Sequence, residues 1–183
     1  MKNHYSINFD KNIIVDNFNQ DDYRIPDKGW VTHKISEKRD ILSPEMINFL
    51  SLLDIPLFIN LFYGPPSTIT NIHIDMHRSG WALNYAWGSS NSVMKWYSVK
   101  KNNVPKLRRT TANTPYFVYD TDDVEVIEET EIKGLCLVRT NVPHSVHNYS
   151  NDQGRFCLSI RSDVNYANLS NILEKLSSYV VHN

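Results

Sequence analysis

Residues 72–80, IHIDMHRSG, set His73 and Asp75 one residue apart in a run that reads as a β-strand. Side chains alternate along a strand, so His73 and Asp75 share one face, with His77 if the strand runs that far, and Ile72, Ile74 and Met76 take the other. An imidazole and a carboxylate side by side are donors that a divalent transition metal uses. The pair alone carries little weight, because a chain with this many His and Asp residues is expected to show roughly half a His-x-Asp match by chance. Further donors come from residues 140–162, TNVPHSVHNYSNDQGRFCLSIRS, which hold His144, His147, Arg155 and Arg161. As a strand, the last part puts Arg155, Cys157, Ser159 and Arg161 on one face and Phe156, Leu158 and Ile160 on the other. Two arginines on one face are costly to bury unpaired, so they should meet water or an anion. A guanidinium's planar fork suits a carboxylate, with which it makes two parallel hydrogen bonds.

Two imidazoles and one carboxylate on three corners of a metal leave three positions open, the facial triad of non-haem Fe(II) oxygenases. The order His73, Asp75, His144, Arg155 resembles the His-x-Asp…His…Arg order of the Fe(II)/2-oxoglutarate-dependent dioxygenase family. The resemblance spans roughly residues 56–162. It implies a double-stranded β-helix in which His73, Asp75 and His144 hold Fe(II), and Arg155 pairs with the far carboxylate of the co-substrate 2-oxoglutarate. FYGPP at 62–66 is similar to a Tyr-x-Pro-Gly stretch that often precedes the first ligand, with Pro66 where Gly is usual, and it brings in Tyr63 as a co-substrate contact. The RFCLSIR run is similar to the Arg-x-x-x-x-x-Arg strand of nucleic-acid-dealkylating members, which adds Arg161. His147 competes with His144. Positions three apart on a strand face opposite ways, so only one reaches the metal, and the family spacing to Arg155 favours His144.

These residues need rigid elements to carry them. SPEMINFLSLL reads as a helix, with Ser43 as cap, Pro44 in the first turn, and Met46, Phe49, Leu50 and Leu53 as its apolar stripe. After it come short runs rich in β-branched and aromatic residues, among them PLFINLFYG, WALNYAWG, VMKWYSVK and VEVIEETEI, separated by Gly, Pro, Asn or Ser. GSSNS at 88–92 reads as the turn of a hairpin, and the closing NYANLSNILEKLSSYV as an amphipathic helix. In WALNYAWG, Ala82, Asn84 and Ala86 share a face of small residues with one amide, which leaves space for a small molecule. Asn84 is therefore a candidate co-substrate contact. The expected fold is mainly β: a double-stranded β-helix (jelly roll, cupin-like) with flanking N- and C-terminal helices, in a single domain 1–183.

Composition narrows the function. A net charge of −1 gives no global field toward nucleic acid or membrane. No apolar run spans a bilayer and the N-terminus lacks a signal-peptide pattern, so a cytoplasmic protein is expected. Cys136 and Cys157 read as free buried thiols, with a disulfide between neighbouring strands left open. Dinucleotide, phosphate-loop, nucleophile-elbow and zinc-protease motifs are missing. The basic residues of 100–109 and the acidic ones of 120–131 read as solvated loops and an edge strand rather than a nucleic-acid surface. The expectation is a hydroxylase of a C–H bond in an amino acid, peptide or small metabolite. The alternatives are a cupin-like metalloenzyme not using 2-oxoglutarate, or a metal-free jelly-roll binding protein for sugar or peptide.

Overall fold

The computed structural model describes residues 2–24, 29–76, 78–100, 103–110, 113 and 115–181. The chain opens with β1 (His4–Ser6) and β2 (Val31–Ile35), then α1 (Pro44–Ser51). Ser43 Oγ accepts from the Met46 N–H, Pro44 sits in the first turn, and Met46, Phe49 and Leu50 are buried. The cap satisfies one of the amides that a helix start leaves unpaired. Next come β3 (Phe58–Gly64), β4 (Thr68–Ile69), β5 (Ile72–Asp75), β6 (Trp81–Trp87) and β7 (Ser92–Val99). β8 (Lys106–Arg109) and β9 (Pro115–Tyr119) follow, then β10 (Val124–Glu131), β11 (Gly134–Arg139), β12 (His144–Asn148) and β13 (Arg155–Arg161).

Two antiparallel sheets result. One has the order β1-β11-β6-β13-β3-β2, the other β10-β7-β12-β5-β9-β8 with β4 beside β12. From β5 to β13 the main strands cross repeatedly from one sheet to the other, which is the winding of a double-stranded β-helix, or jelly roll. The residues 88–92 correct one sequence expectation. They do not close a hairpin, because β6 belongs to the first sheet and β7 to the second. A Gly-Ser-Asn run signals that the chain turns; it does not say which sheet the chain enters next.

The closing helix is shorter than its sequence pattern. α2 spans Leu169–Lys175, with Asn168 Oδ1 accepting from the Asn171 N–H, and a 3-10 turn Ser177–Tyr179 follows. The Asn168 cap starts the helix late, and Val180 is held instead in a bridge to Ile7. No helix among the described residues is long and apolar enough to cross a membrane. Cys136 and Cys157 are free and buried, on strands that flank β6 rather than each other.

The main hydrophobic core lies behind the first sheet. There Leu61, Leu83, Leu137, Phe156 and Leu158 meet Met46, Phe49 and Leu53, with Ile172 and Leu176 from the C-terminal end. Burying each such side chain contributes roughly 1.5–3 kcal/mol. A smaller cluster, Ala82, Met94, Trp96, Ile132, Cys136 and Val138, joins the two sheets. The strand parity that sends Phe156, Leu158 and Ile160 into the core turns Arg155, Cys157, Ser159 and Arg161 the other way, toward the facing sheet.

Candidate metal centre

Register brings the candidate ligands together. His144 on β12 pairs directly with His73 on β5, and Asp75 lies two residues further along the same face. The two imidazole centroids are 4.3 Å apart. Asp75 Oδ1 lies 3.6 Å from His73 Nε2, and Oδ2 lies 3.9 Å from His144 Nε2. One donor atom from each residue falls within 4.8 Å of the others.

Both rings are held the same way. His73 Nδ1 lies 2.8 Å from the Asn71 carbonyl, and His144 Nδ1 lies 2.8 Å from the Val142 carbonyl. A carbonyl only accepts, so each Nδ1 carries a hydrogen, and Nε2 is the ring nitrogen turned toward the other donors, the one a metal would use. Burial, reinforced by the neighbouring His73, pushes the His144 pKa down to about 3, so the ring is neutral at ordinary pH. Two imidazole Nε2 atoms and one carboxylate fit a divalent transition metal in both number and type.

The arginines take different places. Arg161 Nη1 donates to Asp75 Oδ2 at 2.6 Å and its Nε donates to Ser159 Oγ at 2.8 Å, while its guanidinium lies over the Phe62 ring. It therefore holds the aspartate in place while also lining the cavity in front of the triad. Arg155 is 3% exposed and lines that cavity too, with its Nε donating to Ser92 Oγ at 3.2 Å. Among the described residues no carboxylate pairs with it. The cavity measures about 350 Å³. Its floor follows from register: Asn84 faces Cys136 on one side and Ser159 on the other, and Ser159 faces Asn60. Asn84 Oδ1 is buried there without a partner among the described residues.

Tyr63 does not join them. It lies in the hydrophobic core against Phe156, at a ring distance of 4.9 Å. Parity on β3 explains the correction: Asn60 and Phe62 line the cavity, so Tyr63 faces away. His147 likewise lies on the far face of β12, bonded to Ser145 Oγ at 2.7 Å and to the Tyr149 hydroxyl at 2.9 Å. His77 lies outside the described residues. The two charged segments partly meet each other, through Lys106–Asp120 at 2.8 Å, and they form opposite edges of the second sheet.

Sequence reasoning missed Trp30, Phe62, Asn60, Tyr116 and Thr140, which also line the cavity. Alternation within FINLFYG would have found Asn60 and Phe62. Nothing periodic surrounds Trp30.

No family model matches the sequence, and no curated protein matches it. Solved structures with a loosely similar fold include Peruvianin-I, a cysteine peptidase from Thevetia peruviana latex. It is 11% identical with a TM-score of 0.39, over 88% of this chain and 90% of that one. An oxalate oxidase in complex with the substrate analogue glycolate is 10% identical at a TM-score of 0.36, and the match covers 75% of this chain but only 53% of that one. A cupin 2 domain-containing protein from Halorhodospira halophila is 8% identical at 0.36, over 81% and 77% of the two chains. The likeness is loose, and the jelly roll stands on this chain's own sheet order.

Proposed function

We propose that the chain is an Fe(II)- and 2-oxoglutarate-dependent oxygenase that hydroxylates a C–H bond in an amino acid, peptide or small metabolite. The observation that carries the reading is Arg155, a buried guanidinium with no carboxylate partner among the described residues, in the same cavity as a His73–Asp75–His144 donor set. A buried cation without a counterion is costly, and an acid guest with a second carboxylate relieves that cost.

A bound Fe(II) would supply dioxygen chemistry coupled to oxidative decarboxylation of 2-oxoglutarate to succinate and carbon dioxide. The protein's part is placement. His73 and His144 present their Nε2 atoms as donors, Asp75 supplies the charge, and Arg161 fixes Asp75 through its Oδ2. Arg155 binds the far carboxylate of the acid. Phe62, Met94 and Val146 line the space between with apolar surface and limit water there.

One observation favours a second reading, a metalloenzyme of the same fold without 2-oxoglutarate: of the three arginines that line the cavity, Arg161 is already engaged with Asp75 and Arg109 donates to Asn113, which leaves only Arg155, among the described residues, open to a diacid. Anaerobic titration with Fe(II) and then 2-oxoglutarate separates the two. The proposal expects a weak visible charge-transfer band on adding the acid, and succinate release once air is admitted. Fe(II) binding without the band would favour the second reading. Failure to bind any divalent metal would leave a jelly-roll binding module.

A further inference from the structure

The four tryptophans differ in one respect. The indole N–H of Trp81 donates to the Ala167 carbonyl, that of Trp87 to Gln20 Oε1 at 3.1 Å, and that of Trp96 to the Arg139 carbonyl at 3.0 Å. Trp30 Nε1 is buried with no partner among the described residues. Trp30 also lines the cavity, and the Arg155 guanidinium lies 5.8 Å from its ring centroid. A buried donor left unpaired costs about 1–3 kcal/mol, so its retention beside a second donor without an anion calls for an acceptor between them.

The ring's seat is specific. A Cβ at Gly64 would come within 2.5 Å of Trp30 Cζ2, so only glycine at that position lets the indole lie against β3. The glycine of the FYGPP stretch thus makes room for Trp30. On the neighbouring strand, Arg155 pairs with Gly64 in register. One glycine therefore brings the indole and the guanidinium to the same end of the cavity.

We propose that Trp30 is a ligand-binding residue: its indole N–H, together with the Arg155 guanidinium, forms a carboxylate receptor at the end of the cavity. A carboxylate offers enough lone pairs to accept from both. The indole supplies a donor of fixed direction and the guanidinium supplies charge, so the receptor selects an acid over a neutral amide. The inference deepens the diacid reading above and depends on it only for which acid is bound.

The test uses the ¹⁵N-labelled full chain without metal, with glutarate as probe. Glutarate has two carboxylates but no 2-oxo group, so its binding reports the receptor alone. The indole signal missing from Trp30→Phe is assigned to Trp30. Glutarate should shift that signal downfield in the wild type, glutaramide should not, and the other three indole signals should hardly move. Trp30→Phe keeps an aromatic ring and loses the N–H; it should bind glutarate about tenfold more weakly, the worth of one hydrogen bond to a charged acceptor, while the other three indole signals keep their wild-type positions. A Trp30 signal unmoved by saturating glutarate, an unchanged affinity in the variant, or no glutarate binding at all would each overturn the inference. A shifted Trp30 signal in a protein that gives no Fe(II)/2-oxoglutarate band would keep the receptor and discard the oxygenase.

Discussion

Asp75→Asn separates two roles that the geometry gives to one carboxylate. Asp75 accepts from Arg161 at 2.6 Å, and the two side chains are 12% and 7% exposed. Removing the negative charge leaves a buried guanidinium without its anion, a loss of about 3–5 kcal/mol. At roughly 2–4 °C per kcal/mol for a chain of this size, the metal-free variant should melt about 6–20 °C lower. That drop is expected whether or not a metal ever binds. The metal role adds a second effect. A divalent ion at a hundred times its Kd stabilises the folded wild type by about 2.7 kcal/mol, or roughly 5–11 °C, and the variant should forfeit that gain. Asp75→Asn with Arg161→Met isolates the second effect, because removing both charges restores much of the stability while leaving the triad without its anionic donor. Melting followed by circular dichroism, anaerobically, with and without Fe(II), reads both quantities. A double variant that gains as much from Fe(II) as the wild type would refute Asp75 as a ligand and leave it as Arg161's counterion alone.

Arg155→Gln should weaken 2-oxoglutarate binding by about 30-fold or more, the cost of truncating one partner of a buried charged pair, while calorimetry shows unchanged metal affinity; equal loss of both would argue against its role. His147→Ala, on the far face of β12, should leave metal affinity unchanged, whereas His144→Ala should abolish it; the reverse order in a metal titration would reassign the ligand. His144 is held near 3 by burial and by His73, so the folded metal-free chain binds fewer protons than the unfolded one between about pH 6.5 and 3. Stability should therefore fall as pH falls through that window, by about 2 kcal/mol between pH 7 and 5, and a urea midpoint that does not move over that interval would contradict it.

Parity carried most of what the sequence disclosed. Once β13 was read as a strand, Arg155 and Arg161 had to share a face away from Phe156, Leu158 and Ile160, and once β5 was read as a strand, His73 and Asp75 had to point together. The same rule, applied to FINLFYG, places Asn60 and Phe62 in the cavity and removes Tyr63; there the family likeness overrode the alternation. Sheet membership was not legible, because the turn at 88–92 looks alike whether the next strand pairs with the last or crosses to the other layer. Trp30 was hidden for a different reason: its place comes from a contact with Gly64, 34 positions away along the chain, and no local pattern encodes that distance. Arg161 showed its face but not its partner, since a strand pattern says which way a side chain leaves the backbone and not what it meets.

The placement of the oily residues bears on how such a chain could change. A sandwich that glues its layers together with hydrocarbon loses cohesion whenever a hollow is carved between them. Here most of the glue sits behind one layer, under the helices, and the gap between the layers holds only a small share. Phe62, which belongs to neither cluster, can thus be recut to admit a differently shaped guest while the foundation stays intact, whereas Met94 and Val146 are part of the small joint between the layers.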